Sequence, residues 1–314
     1  MRVGVVLDAL GGLQSLTRLE LANTGITDAG LKRLKRLKNL ATLGLSGNPI
    51  TDAGAKRLGG FGNLTSLALG GTAVTDAGVE ELGGMTNLAS LSLDRTKVTD
   101  RGVQELGGLK RLASLSLANT QVTDAAAAEI AKLENLAIVA LDNTAVGDAG
   151  IRELKKLGKL SSLGLYGCPK VTDIGLKGIG DLERLEFLEL GDTGLSDAGL
   201  KEVGRIGTLR VLRIAQTGVT DAGLKELKGL KRLGTLDLGE TKATNIGMAD
   251  LRGLASLDTL ILSGTAVTDR GARELKALKG LEYLDLAGTK VSRPCREELR
   301  TALPKCDVIW SSVP

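Results

Sequence analysis

"LANTGITDAGLKRL" (residues 21–34) returns little altered as "LGGTAVTDAGVEEL" at 69–82 and as "IAQTGVTDAGLKEL" at 214–227. Recurrence of this kind is read first for its period, because a period of roughly 20–50 residues defines a fold built by stacking. The leucine at Leu16 recurs at Leu40, Leu64, Leu88, Leu112, Leu136 and Leu160, then at Leu185, Leu209, Leu233, Leu257 and Leu281. Every step is 24 residues except one of 25, where "YGCPKVTD" carries an extra residue after Cys168. The shared pattern is L-x-x-L-x-L-x-x-T-x-V-T-D-A-G-L-x-x-L-x-x-L-x-x, and its two halves differ in periodicity. "LTRLEL" (16–21) ends in the alternation of a strand, whereas "GLKRLKRL" (30–37) repeats leucine every three residues, the buried stripe of a helix or of tight helical turns.

A unit of one short strand and one short helix cannot bury its leucines alone. Stacked units do so in one continuous aliphatic core. Composition agrees: apolar residues make up 42% of the chain and aromatics only 2%, which suits repeated leucine layers. At 314 residues the chain is long for one compact core, but a stack grows by adding layers. No linker, low-complexity run or composition break interrupts it. The expectation is an α/β fold: a right-handed curved solenoid, or horseshoe, with a parallel sheet on its concave face and helices on its convex face.

On these residues the chain resembles the leucine-rich repeat superfamily over essentially all of 1–310. The "VTDAGL" half is most similar to the cysteine-containing subfamily of F-box proteins and bacterial repeat proteins, and "GCPKVTDIGL" (167–176) is nearly that subfamily's wording. Cys168 holds the ladder position there, Thr fills it in ten of the twelve units and Asn48 in the remaining one. Each can bond the loop backbone as the strand turns away. The ending "LPKC" (303–306) is similar to bacterial, planctomycete-type repeat proteins, which implies a bacterial source.

The repeat frame sets the boundaries: one domain over 1–314, an N-terminal half-repeat helix at 1–15, twelve repeats at 16–304, and a C-terminal cap strand at 305–314. The half-repeat places Leu7, Leu10 and Leu13 in the helical stripe. In the cap, Val308 and Trp310 fall on inward positions, with Trp310 as a lid over the last layer. Within "TDAG", Thr27 or Asp28 is placed to cap the following turn, and Gly30 to let helix and strand approach. In the twelfth unit "SRPC" (292–295) takes that place, with Ser292 as the cap. The "LGG" pairs at 58–60, 82–84 and 106–108 lack the Gly-Lys-Ser/Thr of a phosphate loop and read as helix exits, where glycine tolerates the backbone turn.

The chemistry is as informative for what it omits. The chain has no histidine, which removes Ser-His-Asp and Cys-His catalysis and the commonest metal ligand. Its three cysteines form no C-x-x-C pair, so zinc and dithiol chemistry lack support, although a Cys295–Cys306 pairing stays open. Sparse, odd cysteines point to a reducing compartment, and no apolar run reaches the roughly 18 residues of a membrane span. Cytoplasmic is the default location. "LKRLKRLKNL" (31–40) is locally basic within a net charge of only +4; without aromatic platforms it reads as a solvated convex face, so no nucleic acid and no membrane partner is expected.

The third, fifth and seventh positions of each unit face the concave side. Units two to five place small residues there: Thr42, Gly44, Ser66, Ala68, Ser90 and Ser114 among them. From unit seven onward they grow to Tyr166, Phe187, Glu189, Val211, Arg213, Asp237, Ile261, Tyr283 and Asp285. Three of the five aromatic residues fall in this stretch, and interfaces concentrate energy in Tyr, Trp, Phe and Arg anchors. The reading is a non-enzymatic scaffold, without cofactor or metal, that binds a protein or peptide on the concave face of its C-terminal half. The alternatives are a structural or engineered array with no specific ligand, or the substrate-recruiting part of a ubiquitin-ligase-type assembly, as the F-box resemblance implies. The uncovered N-terminal edge at 17–22 also invites weak self-association.

Overall fold

The computed structural model describes residues 13–310. The expected N-terminal half-repeat helix therefore lies outside the described residues except for 13–15, which hold no helix. The chain divides into two compact units, Met1–Val146 and Gly147–Pro314.

In the first unit, six three-residue strands pair in parallel in sequence order: β1 (Arg18–Glu20), β2 (Thr42–Gly44), β3 (Ser66–Ala68), β4 (Ser90–Ser92), β5 (Ser114–Ser116) and β6 (Ile138–Ala140). The second unit continues with β7 (Ser162–Gly164), β8 (Phe187–Glu189), β9 (Val211–Arg213), β10 (Thr235–Asp237), β11 (Thr259–Ile261), β12 (Tyr283–Asp285) and β13 (Asp307–Ile309). A short helix follows each of the first twelve strands, beginning with Asp28–Leu34. In each unit the parallel strands alternating with helices form the expected stack of strand–helix layers.

Register shows why leucine recurs. Leu19, Leu43, Leu67, Leu91 and Leu115 pair across successive strands and form one column, with Val139 beside Leu115. Leu115 is fully buried, while Leu19 and Leu21 in the first layer keep slight exposure. The threes in the helical half are equally physical. Several stripes finish as 3-10 turns, such as Lys225–Gly229, whose repeat of three residues puts Leu224, Leu227 and Leu230 on one buried side.

The "TDAG" motif works between units rather than within one. Asp52 Oδ1 accepts the Thr75 N–H at 2.8 Å and its Oδ2 accepts the Thr75 hydroxyl at 2.8 Å. The same pair of bonds joins Asp28 to Thr51, Asp76 to Thr99, Asp100 to Thr123, Asp148 to Thr172, Asp197 to Thr220 and Asp221 to Thr244. Some carboxylates reach further and cap the next helix: Asp221 Oδ1 also accepts the Gly247 N–H at 3.0 Å. The local cap is weaker. Thr51 Oγ1 accepts the Ala53 N–H at 3.2 Å, and Thr27 makes no side-chain cap bond.

This corrects the reading of the glycine. A Cβ at Gly199 would stand 2.4 Å from Asp173 Oδ1, and one at Gly223 would stand 2.4 Å from Asp197 Oδ1. The glycine thus leaves room for the preceding unit's carboxylate, not for a strand. Ala126 and Cys295 occupy the same position in two units, so the space can be widened. The "LGG" exits need a similar correction. Gly83 is right-handed with φ −57°, and a Cβ there would meet Glu105 O at 2.6 Å, so close approach of the next helical segment selects glycine.

The ladder threonines behave as expected. Thr72 Oγ1 donates to Leu69 O at 2.6 Å and Thr217 Oγ1 to Ile214 O at 2.7 Å. Asn48 spans two layers, donating to Leu21 O and Leu45 O and accepting from the Thr24 and Ile26 N–H groups. Cys168 makes a long contact to Tyr166 O, 3.9 Å. All three cysteines are buried, and Cys295 and Cys306 form no disulfide, which corrects the open pairing between them.

At the C-terminal end Val308 is inward as expected, but Trp310 is not: it is 39% exposed. The reason is Arg296, which takes the column position held by Leu31 in the first unit and is itself buried. Its guanidinium lies 3.1 Å from the centroid of the Trp310 ring, which covers it from outside. At the other end, β1 pairs only with β2 among the described residues.

Replacing Asp197 with Ala strips the Thr220 N–H of its acceptor and should lower stability by about 2 kcal/mol. Asp197→Asn should recover at least half of that loss, because Asn245 already serves in this role, accepting the Thr268 N–H at 2.8 Å and donating to the Thr268 hydroxyl at 3.0 Å. Urea unfolding of both variants checks the ranking, and an Ala variant as stable as the parent contradicts it.

Candidate functional site: the strand face of the second unit

Register arranges the outward side chains of the second unit in rows. One row runs Phe187, Val211, Thr235, Thr259, Tyr283 across β8 to β12, and a second runs Glu189, Arg213, Asp237, Ile261, Asp285. Tyr166 stands in the loop after β7. All nine residues expected at this surface are therefore on or beside the strands, but they do not form one cluster. Tyr283 stands four strand steps from Phe187.

Around Phe187 the arrangement is compact. The Arg213 guanidinium lies 5.5 Å from the Phe187 centroid, and its Nη1 is 3.9 Å from Glu189 Oε2. Arg213 and Tyr166 are exposed, whereas Phe187 and Tyr283 are half-buried rather than exposed as the alternation implied. Strands about 4.8 Å apart press outward side chains against their row neighbours, so even a surface ring loses part of its area.

The acidic residues share one local device. Glu189 Oε1, Asp237 Oδ1 and Asp285 Oδ1 accept the N–H two residues on, from Gly191, Gly239 and Ala287, at 2.8, 2.9 and 2.8 Å. Each carboxylate is thus fixed at the end of its strand. Burial pushes the Asp237 carboxyl above its usual range; the Gly239 N–H and Arg213 oppose that, and Asp285 adds to it.

A third group was not visible in the alternation. The eighth position of every unit is left-handed: Asn23, Gly47, Gly71, Arg95, Asn119, Asn143, Gly167, Asp192, Gln216, Glu240, Gly264 and Gly288 all have φ between 51° and 69°. Glycine and asparagine suit that backbone, but Arg95, Gln216 and Glu240 are costly choices. In the second unit they form a chain along the strand ends: the Tyr166 hydroxyl donates to Gln216 Oε1 at 3.0 Å, and Gln216 Nε2 donates to Glu240 Oε2 at 3.1 Å. The signal in the sequence is a bulky polar residue where other units place Gly or Asn.

The first unit differs. From β2 to β5 its strand face is small, with an open groove of about 420 Å³ beside Ser46, Gly70, Ser92 and Asp94, and Arg18 and Glu20 on β1 and Ile138 on β6 flank that stretch. Asp94 is committed internally, accepting from the Ser92 and Ser116 hydroxyls and the Ala118 N–H. Among the described residues no group of three or more His, Cys, Asp or Glu is placed to hold a metal, and no helix is long and apolar enough to cross a membrane.

Comparison with known proteins agrees with the fold. The family described as "Leucine Rich repeat" matches residues 12–35, 36–59 and 63–83. Among solved structures, an internalin from Listeria monocytogenes is 25% identical over 90% of this chain and 92% of its own, with a TM-score of 0.65. The Arabidopsis receptor kinase HAESA, solved in complex with a peptide hormone and a co-receptor, is 20% identical over 90% of this chain and 48% of its own, at 0.59. The ectodomain of the Arabidopsis receptor kinase GASSHO1 is 18% identical over 96% of this chain and 45% of its own, at 0.54. At these identities the two plant receptors share the fold alone. No curated protein matches the chain. The fold is thus that of leucine-rich repeat proteins, and the family's model matches three of the repeats.

Glu240→Gly should raise stability by about 1 kcal/mol by relieving the left-handed backbone, although it removes the bond to Gln216. Chemical unfolding tests this, and a variant less stable than the parent would show that the side-chain contact outweighs the strain.

Proposed function

We propose that the protein is a non-enzymatic scaffold that binds a protein or peptide segment on the strand face of its second unit. The observation that carries this reading is the difference between the faces of the two units. The same strands and turns present small residues such as Ser66, Ala68 and Ser90 in one, and Phe187, Arg213, Tyr166 and Tyr283 in the other. The scaffold does not need these larger groups, because β2 to β5 of the first unit pair in the same register without them. Aromatic and Arg side chains held on rigid strands are the composition of interface hot spots, and stacked repeats offer long surfaces for extended partners.

The finer expectations extend this reading. "GCPKVTDIGL" favours the cysteine-containing subfamily, and sparse, buried cysteines with no disulfide between Cys295 and Cys306 suit a reducing, cytoplasmic setting. The edge of β1 is a candidate for weak self-association, with Arg18 and Glu20 exposed along it.

A Phe187→Ala, Tyr283→Ala double variant should keep its unfolding midpoint close to the parent's while weakening a captured partner by about 2 kcal/mol or more. Pull-down followed by calorimetry measures both. Equal affinity of parent and double variant for every captured partner would remove this face as the binding site.

A further inference from the structure

The second half of the strand face carries a more specific arrangement than an aromatic surface. Asp237, Ile261 and Asp285 stand in one row on adjacent strands, in register. Two carboxylates therefore flank an apolar side chain, separated by two strand spacings, or about 9.6 Å between backbones. One oxygen of each is held by the backbone N–H of Gly239 or Ala287. That leaves Asp237 Oδ2 and Asp285 Oδ2 without a hydrogen-bond or ion-pair partner among the described residues. Arg213, the only cation in this row, lies on the far side of Asp237 and is turned to Phe187 and Glu189.

The surroundings deepen the charge imbalance. Asp192 and Glu240 stand exposed at the strand ends of the same unit. With Glu189, five carboxylates thus lie along this row and its strand ends beside one arginine, Arg213, while Arg210 and Arg232 border the opposite side of the face, next to Val211 and Thr235. Two like charges held beside an apolar side chain disfavour one another, and a cation between them relieves both. The scaffold does not require acids at these positions: the matching row of the first unit reads Glu20, Gly44, Ala68, Ser92, Ser116 and Ala140, with a carboxylate only on its first strand.

We propose, resting on the binding role given above, that this row receives a basic side chain of an extended partner segment, its aliphatic stem over Ile261 and its charged head between Asp237 and Asp285. Arginine fits better than lysine, because its planar fork can offer donors to two separated carboxylates at once. Tyr283, in the adjacent row beside Thr259, supplies an apolar wall for a flanking residue of the same segment. Nucleic acid is disfavoured by the same charges.

The test uses the full chain as bait for a random-peptide display library, panned in parallel against the parent, the Asp237→Asn, Asp285→Asn double variant and the Phe187→Ala, Tyr283→Ala double variant. Asparagine keeps the oxygen that accepts the backbone N–H, so the first variant should retain the parent's unfolding midpoint. The expected result is enrichment of Arg-containing or Lys-containing peptides whose affinity falls about tenfold or more on the Asn variant and falls further as salt rises. Peptides without basic residues, or basic peptides indifferent to the Asn variant, that still require Phe187 and Tyr283 would overturn this proposal and leave the binding face standing. Peptides indifferent to both variants, or no enrichment at all, would overturn both.

Discussion

A carboxylate at the first residue of one helix, accepting two hydrogen bonds from the threonine that opens the next, is the interaction on which the layers depend. It satisfies an N–H that no helix or strand bond reaches, in Thr75 for example, and it fixes the height of one layer against the next. The glycine two residues further on follows from it, since a Cβ there would press on that carboxylate. So does the constancy of the repeat length within the array. An inserted residue must be absorbed outside this contact, and the extra residue near Cys168 is: Asp148 still reaches Thr172, at 2.7 Å.

Leucine spacing made the fold legible, because a strand period and a helical period alternating every 24 residues admit few other arrangements. What the spacing did not reveal was the direction of the polar contacts. Thr27 and Asp28 are neighbours in sequence, and a local cap is the simplest reading of two such residues before a helix. The bonds instead run 23 or 24 residues along the chain, a partnership visible only when layers are stacked. Trp310 was misplaced for a related reason. Alternation pointed it inward, but Arg296 on the last helix already held the core column, and that position looks unremarkable until helix and cap are brought together.

The candidate site was legible in part. Alternation along the strands put all nine expected residues on or beside the strand face, since side-chain direction in a strand depends only on parity. It gave no information on the eighth position, where the chain leaves the strand in a left-handed turn and the parity rule ends. Gln216 and Glu240 sit there, tied to Tyr166, in a conformation that costs a non-glycine residue about 1 kcal/mol or more. The division of labour is then plain. Inward positions and, in most layers, the Asp–Thr contacts or their Ser and Asn equivalents build the array, and the outward positions of the second unit are free to vary in chemistry.

Amide hydrogen exchange at the threonines that open the helices tests the central claim most directly. The N–H groups of Thr51, Thr75, Thr99, Thr123, Thr172 and Thr220 lie outside the regular helix and strand bonds, yet each donates to a carboxylate of the preceding layer. If those contacts hold the layers together, these amides should exchange as slowly as strand amides such as Leu69, which donates to Ser92 O at 2.9 Å. Exchange as fast as that of an exposed loop residue such as Gly62 would contradict the account.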